Sequence, residues 1–485
     1  MMTYKKKALV ISPHPDDEIN IAGQFIDILR DNSYEIVVLY TTNGDSSLDF
    51  GNRRICEALE ALRVLNVQES NVIFLGYSNE WEGGQHLYDK TYSKPLLSKS
   101  KRTSTSSIES KPEYCLKKHG VHHEFTRENF KADLKEIILD IEADIIICPD
   151  FDSHLDHRAA SLMFEEVMGE ILIEKKDYEP VVLKKFLYSG IWKGPKDFYD
   201  SPMKETLNTI SSVWGGAQYE TESPYLAWET RIQLMPSANT CTFFITNNIL
   251  YKAAKKHKTQ IAWYQLLRIL NADLVYWWRP TSSILKYATI SVSSGHAKYL
   301  TDFKMYDSSR LFDGPDKDYM NYMWAPSVDD NIKAISVFFD DYKDISQIRI
   351  YNDYNSKNRI LSVELIWENQ KKTIENVNST EIIWEINTNI QHVKKIEIKI
   401  LRYRGIPGMV ELEMYSKRPD FYETVPFEKY RLLKKHKNAG IFALQKIEYF
   451  FLNVKLAFEY KIPNVLKFFL RGGNSGVKKD PKNRT

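Results

Sequence analysis

Cysteine is scarce in the sequence, and the few cysteines present are far apart. There are four in 485 residues, and no two of them form a CxxC pair. Four scattered cysteines without a CxxC pair indicate neither a disulfide framework nor a cysteine zinc site. We therefore expect a chain that works in a reducing compartment. The cysteines are Cys56, Cys115, Cys148 and Cys241.

Long apolar runs are also missing. No stretch reaches the ~18 uninterrupted apolar residues that a spanning helix needs. The N-terminal run from Ala8 to Ile11 is short and is followed by no small-residue cleavage site, so we predict a first strand there and not a signal peptide. The chain is expected to be cytoplasmic, with peripheral attachment to the inner face of the cell membrane as the alternative.

Net charge is nearly absent, but its distribution is uneven. The 66 Lys and Arg residues and the 64 Asp and Glu residues give a formal charge of +2, which argues against a nucleic-acid-binding protein. Residues 427–485 nevertheless carry 14 basic and four acidic residues, a net charge of +10, which leaves −8 for the rest of the chain. The C-terminal segment therefore differs in character from everything before it.

Apolar residues, by contrast, are plentiful: 43% of the sequence is hydrophobic and 13% is aromatic. This content is enough for several domains and excludes a disordered or collagenous chain. From residue 8 onwards, short β-branched runs alternate with helical patterns, which is typical of a parallel sheet with helices on both faces. We predict an α/β, Rossmann-like domain over residues 1–285. It includes a mobile surface insertion at about 80–125, whose stretch 93–111 looks too polar to pack.

The character of the sequence changes near residue 289 to short β-rich segments separated by turn residues. This pattern predicts an all-β sandwich over residues 286–418. In the remaining tail, 419–485, apolar residues recur at helical spacing among polar ones, from Leu444 to Phe458, and a second apolar patch covers Val465 to Leu470. A basic, aromatic amphipathic helix fits an anionic membrane surface. The alternative is a helix docked on the enzyme or on a second copy of the chain.

Two polar clusters each follow a predicted buried strand. The first runs from Ser12 to Glu18 (SPHPDDE), and the second from Asp150 to His157 (DFDSHLDH). Ligands of such sheets bind beyond the carboxyl ends of the strands. Two prolines hold the first cluster extended, and two histidines three residues apart at a helix start share one face. Two histidines and a carboxylate with an open fourth position are typical of a catalytic zinc site, so the clusters predict metal-dependent hydrolysis.

His-Pro-Asp-Asp-Glu after the first strand and the distal His-x-Asp-His element resemble the LmbE/PIG-L superfamily of zinc-dependent de-N-acetylases. The resemblance covers residues 5–165 clearly and implies removal of acetyl from N-acetylglucosamine-containing substrates. Transferred position by position, it implies that the metal ligands are His14, Asp17 and His157. It further implies that Asp16 is the general base, that His154 stabilises the tetrahedral intermediate and that Asp156 orients His154. Iron or cobalt could replace zinc with such ligands.

Weaker matches to the same family concern the substrate. Arg54 resembles an arginine that contacts substrate hydroxyls or phosphate, although a solvated helix face is an equally good explanation. Asn79 stands where the family usually has aspartate, and Asp45 stands where it usually has glutamate. These differences leave the identity of the substrate sugar undetermined. The histidines of the insertion could line the cleft, but solvent-exposed loop histidines are more common. They are His119, His122 and His123.

Residues 289–415 resemble the discoidin, or coagulation-factor type C, sandwiches. The resemblance is carried by Leu311 to Gly314, by Trp324, expected in the core, and by the strand pattern. It implies glycan or lipid-headgroup binding, or a scaffold packed on the enzyme.

We therefore expect a zinc-dependent deacetylase acting on a lipid-linked or polymeric amino-sugar glycan. The alternatives are a small-molecule amidase acting on a thiol or antibiotic precursor and a glycan-binding protein with an inactive hydrolase domain. The sequence does not determine the oligomeric state.

Overall fold

The computed structural model describes residues 5–84, 86–87, 94–150, 154–185, 198–199, 202–206, 225–260, 269–305, 323–353, 355–378, 380–433 and 439–461. Its strands form two sheets, and the predicted fold class is confirmed: a mostly parallel sheet with helices, then an antiparallel sandwich and a helical tail. The domain limits stay predictions. The last strand of the first sheet ends at Arg279, and the first strand of the second begins at Ala288.

Within the described residues, the first sheet consists of β1 (Lys7–Ser12), β2 (Glu35–Thr42), β3 (Val72–Tyr77), β4 (Ile145–Pro149), β5 (Val181–Lys185), β6 (Ile232–Leu234) and β7 (Leu274–Arg279). Their order is β3-β2-β1-β4-β5-β7-β6, with β1 to β5 parallel and β7 antiparallel to its two neighbours. Because β1 pairs with β4 from Ala8↔Ile145 to Val10↔Ile147, the two predicted polar clusters start side by side at one edge of the sheet.

The helices described around this sheet are α1 (Gln24–Asp31), α2 (Leu48–Val64), α3 (Tyr114–His119), α4 (Arg127–Ile141), α5 (Leu155–Glu174) and α6 (Ile249–Ala254). Ser47 is the N-cap of α2 and Thr126 is the N-cap of α4, and each of these side chains accepts a hydrogen bond from a backbone N–H three residues later. Alternate strand residues enter two separate hydrophobic cores, one on each face, which explains the continuous apolar runs of the sequence.

The second sheet is built from β8 (Ala288–Val292), β9 (Ala334–Asn352), β10 (Arg359–Trp367), β11 (Gln370–Glu375), β12 (Ile383–Arg404) and β13 (Met409–Tyr415). All described pairings are antiparallel, and register shifts interrupt the long β9–β12 pair, as β-bulges do where strands bend around a core. Trp324 is fully buried in that core, which confirms its predicted place. The predicted anchor residues 311–314 lie outside the described part.

The sandwich packs directly on the first domain. Tyr225 and Trp277 of the first domain share an apolar cluster with Tyr351 and Val410 of the sandwich. Arg279, at the end of β7, lies 3.2 Å from the Glu413 carboxylate of β13. These buried contacts fix the second module against the first.

The polar insertion is packed in its described part, so the prediction that it is too polar to pack was wrong. Leu96 and Ser98 are buried, and Ser106 accepts hydrogen bonds from the Asn43 amide through its backbone oxygen (2.9 Å) and its hydroxyl (3.1 Å). Arg102 reaches the buried Asp45 carboxylate at 2.6 Å. The hydroxyls and cations that suggested a solvated loop are used instead to satisfy polar groups at the carboxyl ends of the strands.

The tail contains α7 (Phe421–Thr424), α8 (Ala439–Leu456) and a π-helical turn (Ala457–Lys461). Phe427 lies in the first domain's core, with its ring 4.9 Å from that of Phe25. No described helix is both long and apolar enough to cross a bilayer. The second apolar patch predicted at 465–470 lies outside the described residues.

Candidate functional site

The two polar clusters meet, and three of their side chains face one another. His14 Nδ1 lies 2.8 Å from Asp17 Oδ2, His157 Nε2 lies 3.2 Å from that same oxygen, and the two ring nitrogens are 3.3 Å apart. His14 and Asp17 come from the loop after β1, and His157 comes from the first turn of α5 after β4. All three are buried. We call these three residues the donor triangle.

The donor triangle fits a metal ion. Metal–ligand distances of about 2.0–2.1 Å in a tetrahedral site place neighbouring donors about 3.3 Å apart. The Nε2 of His14 contacts Asp156 Oδ2 at 2.9 Å, and in neutral His14 the proton on Nε2 leaves a lone pair on Nδ1. That lone pair faces a carboxylate oxygen and a second imidazole nitrogen, an arrangement that only a cation or proton between them makes favourable. The predicted ligands are therefore brought together as a site that a divalent cation fits.

The charge states of the triangle follow from this crowding. Burial raises the pKa of Asp17, but the imidazoles of His157 and His14 outweigh burial and hold that pKa well below its usual range. Burial lowers the pKa of His14, whereas Asp17 and Asp156 raise it above its usual value. The site thus keeps a carboxylate ionised in a buried place, as a cation site requires.

Asp156 has different partners from those the resemblance implied. Its carboxylate contacts His14 Nε2 at 2.9 Å through one oxygen and His86 Nε2 at 2.9 Å through the other, whereas His154 Nδ1 lies 3.6 Å away. A carboxylate on the far nitrogen of a ligand histidine fixes its tautomer and raises its basicity. The geometry therefore places Asp156 behind His14. Sequence reasoning missed His86, because it lies in the insertion with no motif around it.

Asp16 stands next to the triangle in an unusual backbone conformation. Its φ of 131° is one that residues with a side chain rarely adopt. Two contacts hold it there: Asp16 Oδ1 accepts a 2.7 Å hydrogen bond from Arg54, and its backbone N–H donates to Glu18 Oε2 at 2.9 Å. Burial raises the pKa of Asp16 to about 6, against the opposing charge of Arg54. Strain of this kind concentrates at functional sites.

Arg54 points into the protein and not along a solvated helix face. Its guanidinium also donates to the backbone oxygens of Pro15 at 2.7 Å and Gly44 at 3.1 Å. A side chain on Gly44, whose φ is +63°, would place its Cβ 2.3 Å from that guanidinium. The structure thus brings Arg54 to Asp16, in the position of a residue that orients the carboxylate.

Glu18 is held in turn by a residue from far along the chain. His257 Nε2 lies 2.7 Å from Glu18 Oε1, and both side chains are fully buried. Burial lowers the pKa of His257, but Glu18 outweighs burial and raises it above its usual value. Sequence reasoning missed this histidine, because it lies in the lysine-rich stretch KAAKKHK with no motif around it.

His154 lies at the mouth of the site. It is the N-cap of α5, where its Nδ1 accepts a 3.2 Å hydrogen bond from Asp156 N–H, and its side chain is 37% exposed. Its ring stacks on that of His157 with centroids 4.7 Å apart. Burial, together with the charges of His14 and His157, lowers the pKa of His154 to about 3. The imidazole is therefore neutral, with its remaining N–H on Nε2.

Asn79 is not joined by a hydrogen bond to the site residues within the described structure. It follows β3, and its Oδ1 is buried without a hydrogen-bond partner there. Its predicted contact with substrate stays a prediction.

Comparison with known proteins gives a family match over the region that carries both clusters. Residues 9–168 match the family model of GlcNAc-PI de-N-acetylase, PIG-L. No significant match was found among the curated proteins. Among solved structures, the chain is similar to the N,N'-diacetylchitobiose deacetylase of Pyrococcus horikoshii in complex with its inhibitor, at 20% identity and a TM-score of 0.26. That similarity covers 39% of this chain and 63% of the deacetylase.

The C-terminal region is similar to family 32 carbohydrate-binding modules. The module of NanJ from Clostridium perfringens, solved with galactose, is 19% identical and covers 27% of this chain and 97% of its own, with a TM-score of 0.20. The module of EndoD from Streptococcus pneumoniae is 9% identical and covers 28% of this chain and 100% of its own, with a TM-score of 0.23.

Proposed function

Because the N-terminal region is a de-N-acetylase domain of the PIG-L/LmbE type, we propose that this protein hydrolyses the N-acetyl amide of an N-acetylglucosamine-type sugar with a divalent metal ion, Zn²⁺ by preference. The observation that carries the proposal is the donor triangle of His14, Asp17 and His157 at the joined ends of β1 and β4, inside the matched region. Two imidazoles and one carboxylate leave a fourth position open for water and substrate.

The chemistry divides between the metal and the residues around it. A divalent ion held by the triangle supplies Lewis acidity, which lowers the pKa of water and polarises an amide carbonyl. Asp16 lies beside the triangle and is not one of its members. Arg54 fixes one oxygen of the Asp16 carboxylate, so the other oxygen can accept the proton of the attacking water. The same proton is then available to the leaving amine.

His154 can stabilise the negative charge that develops on the carbonyl oxygen. Its Nδ1 accepts from a backbone N–H, so its Nε2–H is the group that donates toward the open face of the site. A neutral imidazole at a helix N-terminus acts as such a hydrogen-bond donor without carrying charge itself. Asp156 acts one step removed, by orienting His14.

The substrate we propose is an amino sugar in a lipid-linked or polymer-bound glycan at the cytoplasmic face of the membrane. The similarity of the C-terminal region to carbohydrate-binding modules supports a glycan, because such a sandwich packed on the catalytic domain would hold the chain from which the acetyl group is removed. Arg54 and Asn79 stay candidate substrate contacts, Arg54 now with a second role beside Asp16.

The test compares wild type with Asp16→Asn on a panel of N-acetylhexosamine glycosides, chitooligosaccharides and lipid-linked sugars, with acetate release and bound metal measured together. We expect wild type with one metal per chain to release acetate, and Asp16→Asn to keep the metal but lose at least about 10²-fold in kcat, the contribution of general base catalysis. Asp31→Asn, at an exposed helix end, is the matched control and should retain full activity.

A metal-loaded wild type that releases acetate from none of these sugars would contradict the proposal. Release of an acyl group from thiol or antibiotic precursors in the same assay would then point to a small-molecule amidase. Glycan binding without any hydrolysis would instead point to a binding protein.

A further inference from the structure

Helix α8 and the turn after it present a broad apolar face to solvent. Six large apolar side chains lie on it, each exposed by between 37% and 67%. Contiguous apolar surface of this kind marks an interaction site on a soluble domain. The members of this face, which we call the outer face of α8, are Leu444, Ile447, Phe450, Phe451, Val454 and Phe458, whereas Phe442 is exposed beside it near the start of the helix.

The outer face is held outward by the opposite side of the helix. Leu452 and Leu456 are buried in the core of the first domain. Glu448 accepts hydrogen bonds from the backbone N–H groups of Ile245 and Thr246, both at 2.9 Å, and from the Tyr199 hydroxyl at 2.6 Å. The carboxylate thus binds the helix to the catalytic domain, and the aromatic side cannot turn inward without breaking these bonds.

Lysine side chains lie on α8 and beside it in the described structure. Lys446 Nζ lies 4.6 Å from the centre of the Phe442 ring, on the helix itself. Lys255 lies near Lys455. Burial lowers the pKa of Lys455, and the positive charge of Lys255 lowers it further. In the sequence, residues 462–485 carry six basic residues and one acidic residue. An apolar stripe bordered by lysines matches the chemistry of an anionic bilayer, with rings among the acyl boundary and amines at the phosphates.

We propose that the outer face of α8 lies in the interfacial layer of an anionic membrane and fixes the catalytic domain against the bilayer. A second copy of the chain fits less well, because pairing two such faces would bring the lysines of both copies together. The helix would lie flat, since no described helix can cross the membrane. This inference rests on the tail and its contacts, not on the proposed reaction.

The experiment measures binding of the full-length chain to phosphatidylcholine vesicles and to vesicles with about 30% phosphatidylglycerol, by flotation. We expect strong binding to the anionic vesicles that weakens when salt is raised from 50 to about 300 mM. The double variant Phe450→Gln/Phe451→Gln should bind at least about 10-fold less, because both rings are exposed and contribute little to folding. Phe338→Gln, at an exposed position on the sandwich, is the matched control and should bind like wild type.

Two results would overturn this proposal. One is equal binding of wild type and the double variant to anionic vesicles. The other is a stable dimer in sedimentation, without lipid, that the double variant converts to monomer, since the face would then be covered by a second copy. Deacetylation of a short soluble substrate should be unchanged in the double variant, so failure of membrane binding and failure of the proposed reaction are separately visible.

Discussion

The protein contains two histidine-rich regions, and in the described part of the chain they arrange their donors and acceptors differently. In the donor triangle, the ring nitrogens of His14 and His157 and one oxygen of Asp17 face each other within 3.3 Å. In the insertion, the neighbouring histidines His119 and His122 contact separate carboxylates: His119 contacts Glu136 at 2.8 Å and His122 contacts Glu113 at 2.9 Å. Residue type and close spacing are the same in both regions, so they do not make the difference.

The difference lies in how donors and acceptors are matched. His123 contacts Asp133 at 2.7 Å, the Tyr77 hydroxyl donates to the other Asp133 oxygen at 2.7 Å, and the Cys115 thiol lies nearby. One carboxylate surrounded by proton donors is a satisfied structural network. In the triangle, by contrast, acceptors outnumber protons. Strand ends bring those acceptors together from two distant segments, whereas the insertion pairs groups from one neighbourhood.

The largest expected effect comes from breaking the triangle. Replacing Asp17 with Asn preserves the shape of the side chain but removes the negative charge that a bound cation needs. We therefore expect loss of the metal and a fall in the rate of acetate release of about 10³-fold or more, which corresponds to several kcal/mol of transition-state stabilisation. Metal content and initial rates measure this, with His122→Ala as the matched control on the other histidine region. Full metal content in Asp17→Asn, or loss of metal from His122→Ala, would contradict the conclusion that the donor triangle, and not the insertion, holds the metal.

A second prediction concerns Asp156. Since its carboxylate contacts the ligand His14, Asp156→Asn should weaken metal binding by about 10–100-fold, as measured by competition with a chromogenic chelator. The family resemblance implied a different partner, His154. If metal affinity is unchanged while kcat falls, the carboxylate acts through His154 and the contact with His14 is incidental.

A third prediction separates the two roles of Arg54. If its guanidinium orients Asp16, Arg54→Lys should lower kcat by about 10-fold with little change in KM, because a lysine cannot reproduce the forked contact to Asp16 and two backbone oxygens. A variant with a raised KM and an unchanged kcat would show that the arginine binds substrate instead. Arg53→Lys, the neighbouring exposed arginine, should behave like wild type.

Much of this architecture can be predicted from the sequence. The parallel sheet follows from alternating buried runs and helices, and the position of the site follows from polar clusters placed directly after β1 and β4. The contacts that support the site do not follow, because they join residues with no local signal. His257 reaches Glu18 across 239 residues, and His86 reaches Asp156 from within the insertion.

The insertion was also misjudged for a physical reason. Its composition suggested a solvated loop, but serine and arginine side chains can be ordered and partly buried when the chain supplies matching partners. Asp45 and Asn43 at the end of β2 provide such partners for Arg102 and Ser106. Composition counts polar groups, whereas packing depends on whether those groups meet one another.

The smallest expected effect tests the satisfied network directly. His123→Ala removes one hydrogen-bond donor from the buried Asp133 carboxylate and should lower the free energy of unfolding by about 1–3 kcal/mol. His119→Ala removes an exposed pair with Glu136 and should change it by less than about 1 kcal/mol. Urea unfolding measures both. Neither variant should change metal content, because the Asp133 oxygens are already paired with protons; a drop in bound metal on removing His123 would show that Cys115, His123 and Asp133 hold a second ion.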